Sequence, residues 1–238
     1  MNVGDLEGDG FQQPEAIPVP ADAPPDALIS PDTRRGNRLP PGQSRTRKWP
    51  VLDTGHHPPV LLRADCTLLV DGRVEHPRRW TIGELEALPR ARVFADMHCV
   101  TRWSRLGNLW EGVRLRHLLE AACRTPEGAH LIAHGRDTVE WFKGGSATWT
   151  TNLRMDDALG DDVLVAWAHD GRPLTHEHGG PLRLVVPSLY AWKSAKWLHR
   201  IEVTEEECPG FWERGGYHLR GDPWREHRFR FSDASDEG

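Results

Sequence analysis

Glu177-His178-Gly179-Gly180-Pro181-Leu182-Arg183-Leu184-Val185-Val186-Pro187 is followed closely by Trp192-Lys193-Ser194-Ala195-Lys196-Trp197-Leu198, and the reading of the chain turns on this stretch. Gly179 and Gly180 let backbone amides come close to a bound group. Arg183, Lys193 and Lys196 bring positive charge near those amides, a combination that suits an anion. The same residues also read as a tight turn, a short buried strand over Leu182–Val186 and a few solvated cations. The stretch alone leaves both readings open.

Upstream, Met97-His98-Cys99-Val100-Thr101-Arg102-Trp103-Ser104 is a second stretch with chemical content. It reads as a connector between a strand and a helix, with Gly107 and Gly112 nearby. A cysteine there can face a ligand, and a soft thiolate suits a soft metal. Arg102, two residues beyond Val100, is expected to favour the thiolate. The competing reading is a small buried side chain, the common fate of a free cysteine. Cys66, Cys99, Cys123 and Cys208 form no C-x-x-C pair, so no zinc or redox motif of that kind is present.

Working outward, the middle of the chain alternates strand and helix signals. Cys66–Val70 with Asp71-Gly72 and Val74 predicts a hairpin, and so does Val163–Ala168 with Asp170-Gly171. Thr81 and Glu84 form a capping box for a helix to Leu88, ended by Pro89. Leu115, Leu118, Leu119 and Ala122 share one face of a helix over Val113–Ala122. Leu198, Ile201 and Val203 predict a further strand. The sum is one α+β domain of mixed strands and helices over 49–232. Residues 1–33 are acidic and proline-rich and read as a disordered tail. Residues 34–48 read as a basic extended strap, and 233–238 as a short acidic tail.

The formal net charge of −5 argues against a nucleic-acid binder. No run approaches the roughly eighteen apolar residues of a membrane span. No secretory leader is visible, so a cytoplasmic location is expected.

The Cys99-Val100-Thr101-Arg102-Trp103-Ser104 block, Trp110-Glu111-Gly112-Val113 and the Gly179–Leu198 run resemble, in that order, the molybdopterin domain of the sulfite oxidase family. The likeness is to its small members, near the protein-methionine-sulfoxide reductase catalytic subunits. Pro209-Gly210-Phe211-Trp212-Glu213-Arg214-Gly215-Gly216-Tyr217-His218 and Gly221–Trp224 extend it, so that it covers about Arg38 to Arg230. It implies a sulfite-oxidase-type molybdopterin-binding fold with one molybdenum–molybdopterin cofactor, in which Cys99 ligates the metal. It implies cofactor contacts at His178, Arg183, Ser194, Ala195 and Lys196, near Asp53 and Thr54, and from a loop near His134. With Cys99, it places Trp149 at the reacting centre, where Arg102 is expected to act through its charge. Two departures stand out. Asp53-Thr54-Gly55-His56 replaces the family's Arg-Asn-His, and Trp149 falls where larger relatives carry a tyrosine; an indole offers no phenol proton. The implied reaction is two-electron oxygen-atom transfer on a small or sulfur-containing substrate, in either direction, by a monomer served by a separate electron carrier. The alternatives are a cofactor-free binding domain of the same fold, and a zinc hydrolase built on His176 and His178. Trp103, Trp149 and Trp192 are expected to wall a pocket.

Overall fold

The computed structural model describes residues 11–12, 23–53, 57–140 and 146–231, with backbone alone for 11–12 and 139–140. In chain order the elements are β1 (Phe11–Gln12), β2 (Leu28–Ile29), β3 (Ser44–Thr46), β4 (Thr67–Gly72), β5 (Arg78–Thr81), α1 (Ile82–Glu86), β6 (Arg90–His98), β7 (Trp103–Arg114) and α2 (Leu115–Ala121). They continue with β8 (His130–Glu140), β9 (Ser146–Arg154), α3 (Met155–Ala158), β10 (Leu164–His169), β11 (Arg172–Pro173), β12 (Arg183–Val185), β13 (Leu198–Thr204) and α4 (Phe211–Arg214). Among the described residues no helix is long and apolar enough to cross a membrane.

Two mixed sheets form the body. In the first, β7 is the spine. β6 runs antiparallel along one edge, from Arg90 opposite Val113 to His98 opposite Ser104. The other edge is shared: β3 is parallel at Trp103–Arg105, and β10 is antiparallel at Trp110–Arg114. β12 and β11 then pair with β10, and β2 pairs with β6. Gly112 allows the close approach of β10, since a Cβ there would stand 2.1 Å from the Val165 carbonyl oxygen. The second sheet has the order β5-β4-β13-β8-β9, with β4 and β13 parallel.

The main core lies between the sheets, where Leu68, Trp80, Leu118, Leu131, Val165, Leu184 and Ile201 pack together. The first sheet is covered on its other face too. Leu164, Ala166 and Val185 point there, against Val93, Trp110 and the partly buried Leu28, Trp49 and Leu52. That is why β10 and β12 are continuous apolar runs rather than alternating ones. The capping box is present: Glu84 N donates to Thr81 Oγ1 and Thr81 N to the Glu84 carboxylate, although α1 stops at Glu86 rather than Leu88. Both expected hairpins form, as β4–β5 and β10–β11.

Two expectations are corrected. The Cys99 segment joins two strands, not a strand and a helix; β7 follows at once, and α2 begins only at Leu115. The tail read as disordered to residue 33 does not extend that far, because β2 pairs with β6 and covers the outer sheet face. Polar contacts hold it there. Ser30 Oγ donates to Asp162 at 2.6 Å, Asp96 N donates to Thr33 Oγ1 at 3.1 Å, and buried Arg38 makes a two-pronged pair with Asp96. A count of apolar residues does not register such contacts.

The C-terminal segment is fastened by another buried ion pair. Lys193 Nζ lies 2.6 Å from Glu213 Oε1, and both side chains are completely buried. Lys193 also donates to Asn152 O and Oδ1 and to Leu219 O, while Glu213 accepts from Thr151 Oγ1 and Trp192 Nε1. Removing one partner leaves a buried charge alone, which costs about 3–5 kcal/mol. Lys193→Met is therefore expected to lose stability on that scale in urea unfolding, and adding Glu213→Gln to recover part of the loss.

Candidate active site

A cavity of about 980 Å³, including its open mouth, lies where the β6–β7 turn, the segment 49–53, the Arg183–Lys196 run and the C-terminal segment meet. Cys99 enters it from the turn. Cys99 N donates to Trp103 O at 2.9 Å, Arg102 N donates back to Cys99 O at 3.0 Å, and Gln43 Nε2 also binds Cys99 O at 3.0 Å. The turn closes because Arg102 takes a left-handed backbone, φ 73°. Thr101 Oγ1 donates to Cys99 Sγ at 3.2 Å. Burial pushes the free thiol's pKa up, opposed first by Thr101 and then by the Arg228 charge. A metal taking this ligand would displace the proton.

The Arg183–Lys196 run supplies the cations. Arg183 is buried and meets no carboxylate among the described residues; it donates to His178 O at 2.8 Å and Ser194 O at 3.2 Å. Its guanidinium also lies over the Trp110 and Trp49 rings. Burial lowers its pKa to about 10, which leaves it charged at neutral pH. His178 stacks on Trp49 at 3.7 Å with the rings nearly parallel. Burial, then the Arg183 charge, lowers its pKa to about 4, so the ring is neutral. Lys196 Nζ reaches Glu177 O at 2.9 Å and Asp53 Oδ2 at 3.4 Å. Gly179, φ 92°, lets the turn lie on Lys196, since a Cβ would sit 2.6 Å from the lysine's own.

Of the residues expected at the site, Asp53, Cys99, Trp149, His178, Arg183, Ser194 and Lys196 line the cavity, as do Trp103 and Trp192. Three do not. Ala195 is fully buried in the main core. His134 pairs with Glu202 at 3.1 Å on the second sheet. Arg102 is exposed, with its guanidinium beside Gly42, and the neighbouring charge that acts on Cys99 is Arg228. Thr54 lies outside the described residues. Among the described residues no group of three ligating side chains includes His176 or His178, so the zinc alternative gains nothing.

Sequence reasoning missed Asp137, which lines the cavity at 4% exposure with Oδ1 unpartnered among the described residues. β8 shifts register between His134 and Thr138, which breaks the strand's alternation just where Asp137 sits. Trp49, Trp212 and Tyr217 were also missed as lining residues.

The chain matches the family described as the oxidoreductase molybdopterin binding domain over residues 55–212. It belongs to that family. It is 47% identical over 195 residues to the uncharacterized oxidoreductase YuiH of Bacillus subtilis, covering 82% of this chain and 93% of YuiH. It is 30% identical over 184 residues to the protein-methionine-sulfoxide reductase catalytic subunit MsrP of Gluconobacter oxydans, covering 71% of this chain and 58% of MsrP. The fold resembles the sulfane dehydrogenase SoxCD of Paracoccus pantotrophus, with a TM-score of 0.54 at 21% identity, covering 91% of this chain and 55% of that one. The family assignment bears out the sulfite-oxidase-like resemblance and the mixed fold. The chain is thus an oxidoreductase of the sulfite-oxidase-like group; it spans most of YuiH but little more than half of MsrP and of the SoxCD chain.

Burial raises Asp137 to a pKa of about 6 from an unfolded value near 3.8. The folded pKa is the higher one, so the cofactor-free protein loses stability as pH climbs from about 4 through 6. Asp137→Asn removes that loss. The cofactor-free variant is expected to gain up to about 2 kcal/mol over wild type at pH 8, with the pH-dependent part of that gain gone at pH 4, read from urea unfolding at each pH.

Proposed function

We propose that this protein is a molybdenum–molybdopterin enzyme that carries out two-electron oxygen-atom transfer on a small, neutral, sulfur-containing substrate, with Cys99 as the thiolate on the metal. One observation carries the reading: a single cavity brings Cys99 together with Lys196, an Arg183 that meets no carboxylate among the described residues, and an Asp137 oxygen that has no partner among them. These groups fit a pterin that has an anionic phosphate end and N–H donors in its ring system. The cofactor, when bound, supplies a metal that changes oxidation state by two while an oxygen atom moves.

The chain's own residues do the rest. Arg183 and Lys196 hold negative charge, and the backbone carbonyls that Arg183 grips fix its direction. Asp137 Oδ1 would accept a hydrogen bond from a ring N–H of the bound cofactor. Neutral His178, pinned flat on Trp49, offers a ring nitrogen without adding charge. Thr101 turns its hydroxyl proton to Cys99 Sγ and so lowers the sulfur's electron density. Trp149, Trp192, Trp212 and Tyr217 give the rest of the cavity an aromatic lining, which favours a neutral substrate over an anion such as sulfite. A separate electron carrier closes the cycle.

The test is metal and pterin content after expression in a host that makes molybdopterin. Molybdenum near one per chain, with fluorescent oxidised pterin on release, is the expected result. Cys99→Ser should keep the fold by circular dichroism and lose the metal. Stoichiometric molybdenum in Cys99→Ser overturns the ligand assignment. A folded wild type free of both molybdenum and pterin overturns the enzyme reading in favour of a cofactor-free binding domain.

A further inference from the structure

Residues Gly210–Phe231 carry Trp212 and Tyr217 to the wall of the cavity. The placement is tight. A Cβ at Gly210 would stand 2.4 Å from Thr150 O and 2.5 Å from Thr151 Cα, so the segment lies flush on β9. Glu213 then locks it to Lys193. Tyr217 N donates to Trp212 O at 3.0 Å, and the residue bridges to Phe229. Its ring contacts Trp192 edge-on at 5.1 Å and Trp212 at 5.0 Å. The ring is therefore held from several sides.

Three hydroxyl groups line the cavity. Thr101 gives its proton to Cys99 Sγ, and Ser194 Oγ is occupied by Val186 N at 3.0 Å. Among the described residues Tyr217 Oη has no hydrogen-bond partner, and burial acts on it. Burial raises its pKa, which keeps the phenol protonated at neutral pH; Tyr217 and Cys99 line the same cavity. A fixed, protonated and uncommitted donor near Cys99 has an evident use. In an oxygenated sulfur compound the oxygen is the strong acceptor, whereas the rest of the molecule is apolar.

We infer that Tyr217 binds the substrate's oxygen atom by donating a hydrogen bond to it, so that the C-terminal segment supplies the phenol that Trp149 does not. The inference rests on the function proposed above and adds the residue that distinguishes an oxygenated substrate from its deoxygenated counterpart. Trp192 and Trp212 shape the apolar space beside that donor. Tyr217 holds the oxygen within the cavity that Cys99 lines.

The experiment measures dimethyl sulfoxide on oxidised holoenzyme without reductant and dimethyl sulfide on reduced holoenzyme without oxidant, so that neither ligand is turned over. Tryptophan fluorescence reads both affinities. Tyr217→Phe keeps the ring and removes the donor. Loss of one such hydrogen bond is expected to weaken sulfoxide binding about 5–10-fold. Sulfide binding, molybdenum content and thermal midpoint should stay at wild-type values. With reductant present, sulfoxide kcat/KM should fall by the same factor. Equal sulfoxide affinity in Tyr217→Phe and wild type overturns the inference, and so does a parallel loss for the sulfide, which would mark a purely structural role. Wild type without molybdenum defeats instead the cofactor reading on which the inference rests.

Discussion

Lys193 and Glu213 form an ion pair with no solvent on either side, and the architecture of the cavity depends on it. Taking two charges out of water is costly, and the cost is met only if every remaining donor and acceptor finds a partner. Lys193 does find them, in Asn152 and Leu219. Glu213 is shared with Thr151 and Trp192, while its second oxygen goes unpartnered among the described residues. The pair thus joins β9, the turn ahead of Ser194 and Lys196, and the C-terminal segment. Those three pieces carry Trp149, the cationic run and the aromatic wall with Trp212 and Tyr217. A slip in one of them would be felt in the other two.

A similar device works at the other end of the chain. Arg38 and Asp96 are both buried, and Asp96 also accepts from Gly107 N and donates its own N–H to Thr33. Asp96 lies on β6 three residues before Cys99, so the polar contacts that hold the N-terminal segment also brace the strand leading into the Cys99 turn. Arg228, from the far end of the sequence, donates to Val100 O at 2.6 Å and Pro41 O at 3.3 Å. Both ends of the described chain therefore meet behind one sulfur atom.

Much of this was legible in the sequence, and the division has a physical basis. Cys99, Arg183 and Lys196 could be read because each sits in a contiguous motif where a glycine turn or a short connector fixes its surroundings. The strands β4, β10, β12 and β13 and helix α2 could be read from their apolar residues, whereas β7, β8 and β9 were not. Asp137 could not, because a register shift in β8 decides which way it faces and no local pattern announces that shift. His134 was favoured in its place, yet it spends its ring nitrogen on Glu202. Arg102 is next to Thr101 in sequence, but its left-handed backbone closes the turn and its side chain is exposed. The N-terminal segment looked disordered because disorder is judged by apolar content, and this one is held by Ser30, Thr33 and Arg38. Tyr217 stood in a motif that pointed to kinship, and only packing against Trp192 and Trp212 gives it a direction.

The order of these pieces along the chain bears on assembly. During synthesis Cys99, Arg183 and Lys196 are made before Trp212 and Tyr217. Until Gly210 settles on β9 and Glu213 reaches Lys193, the cavity lacks the wall that carries those two rings. Whatever loosens the Lys193 contact therefore also loosens the wall that those rings form.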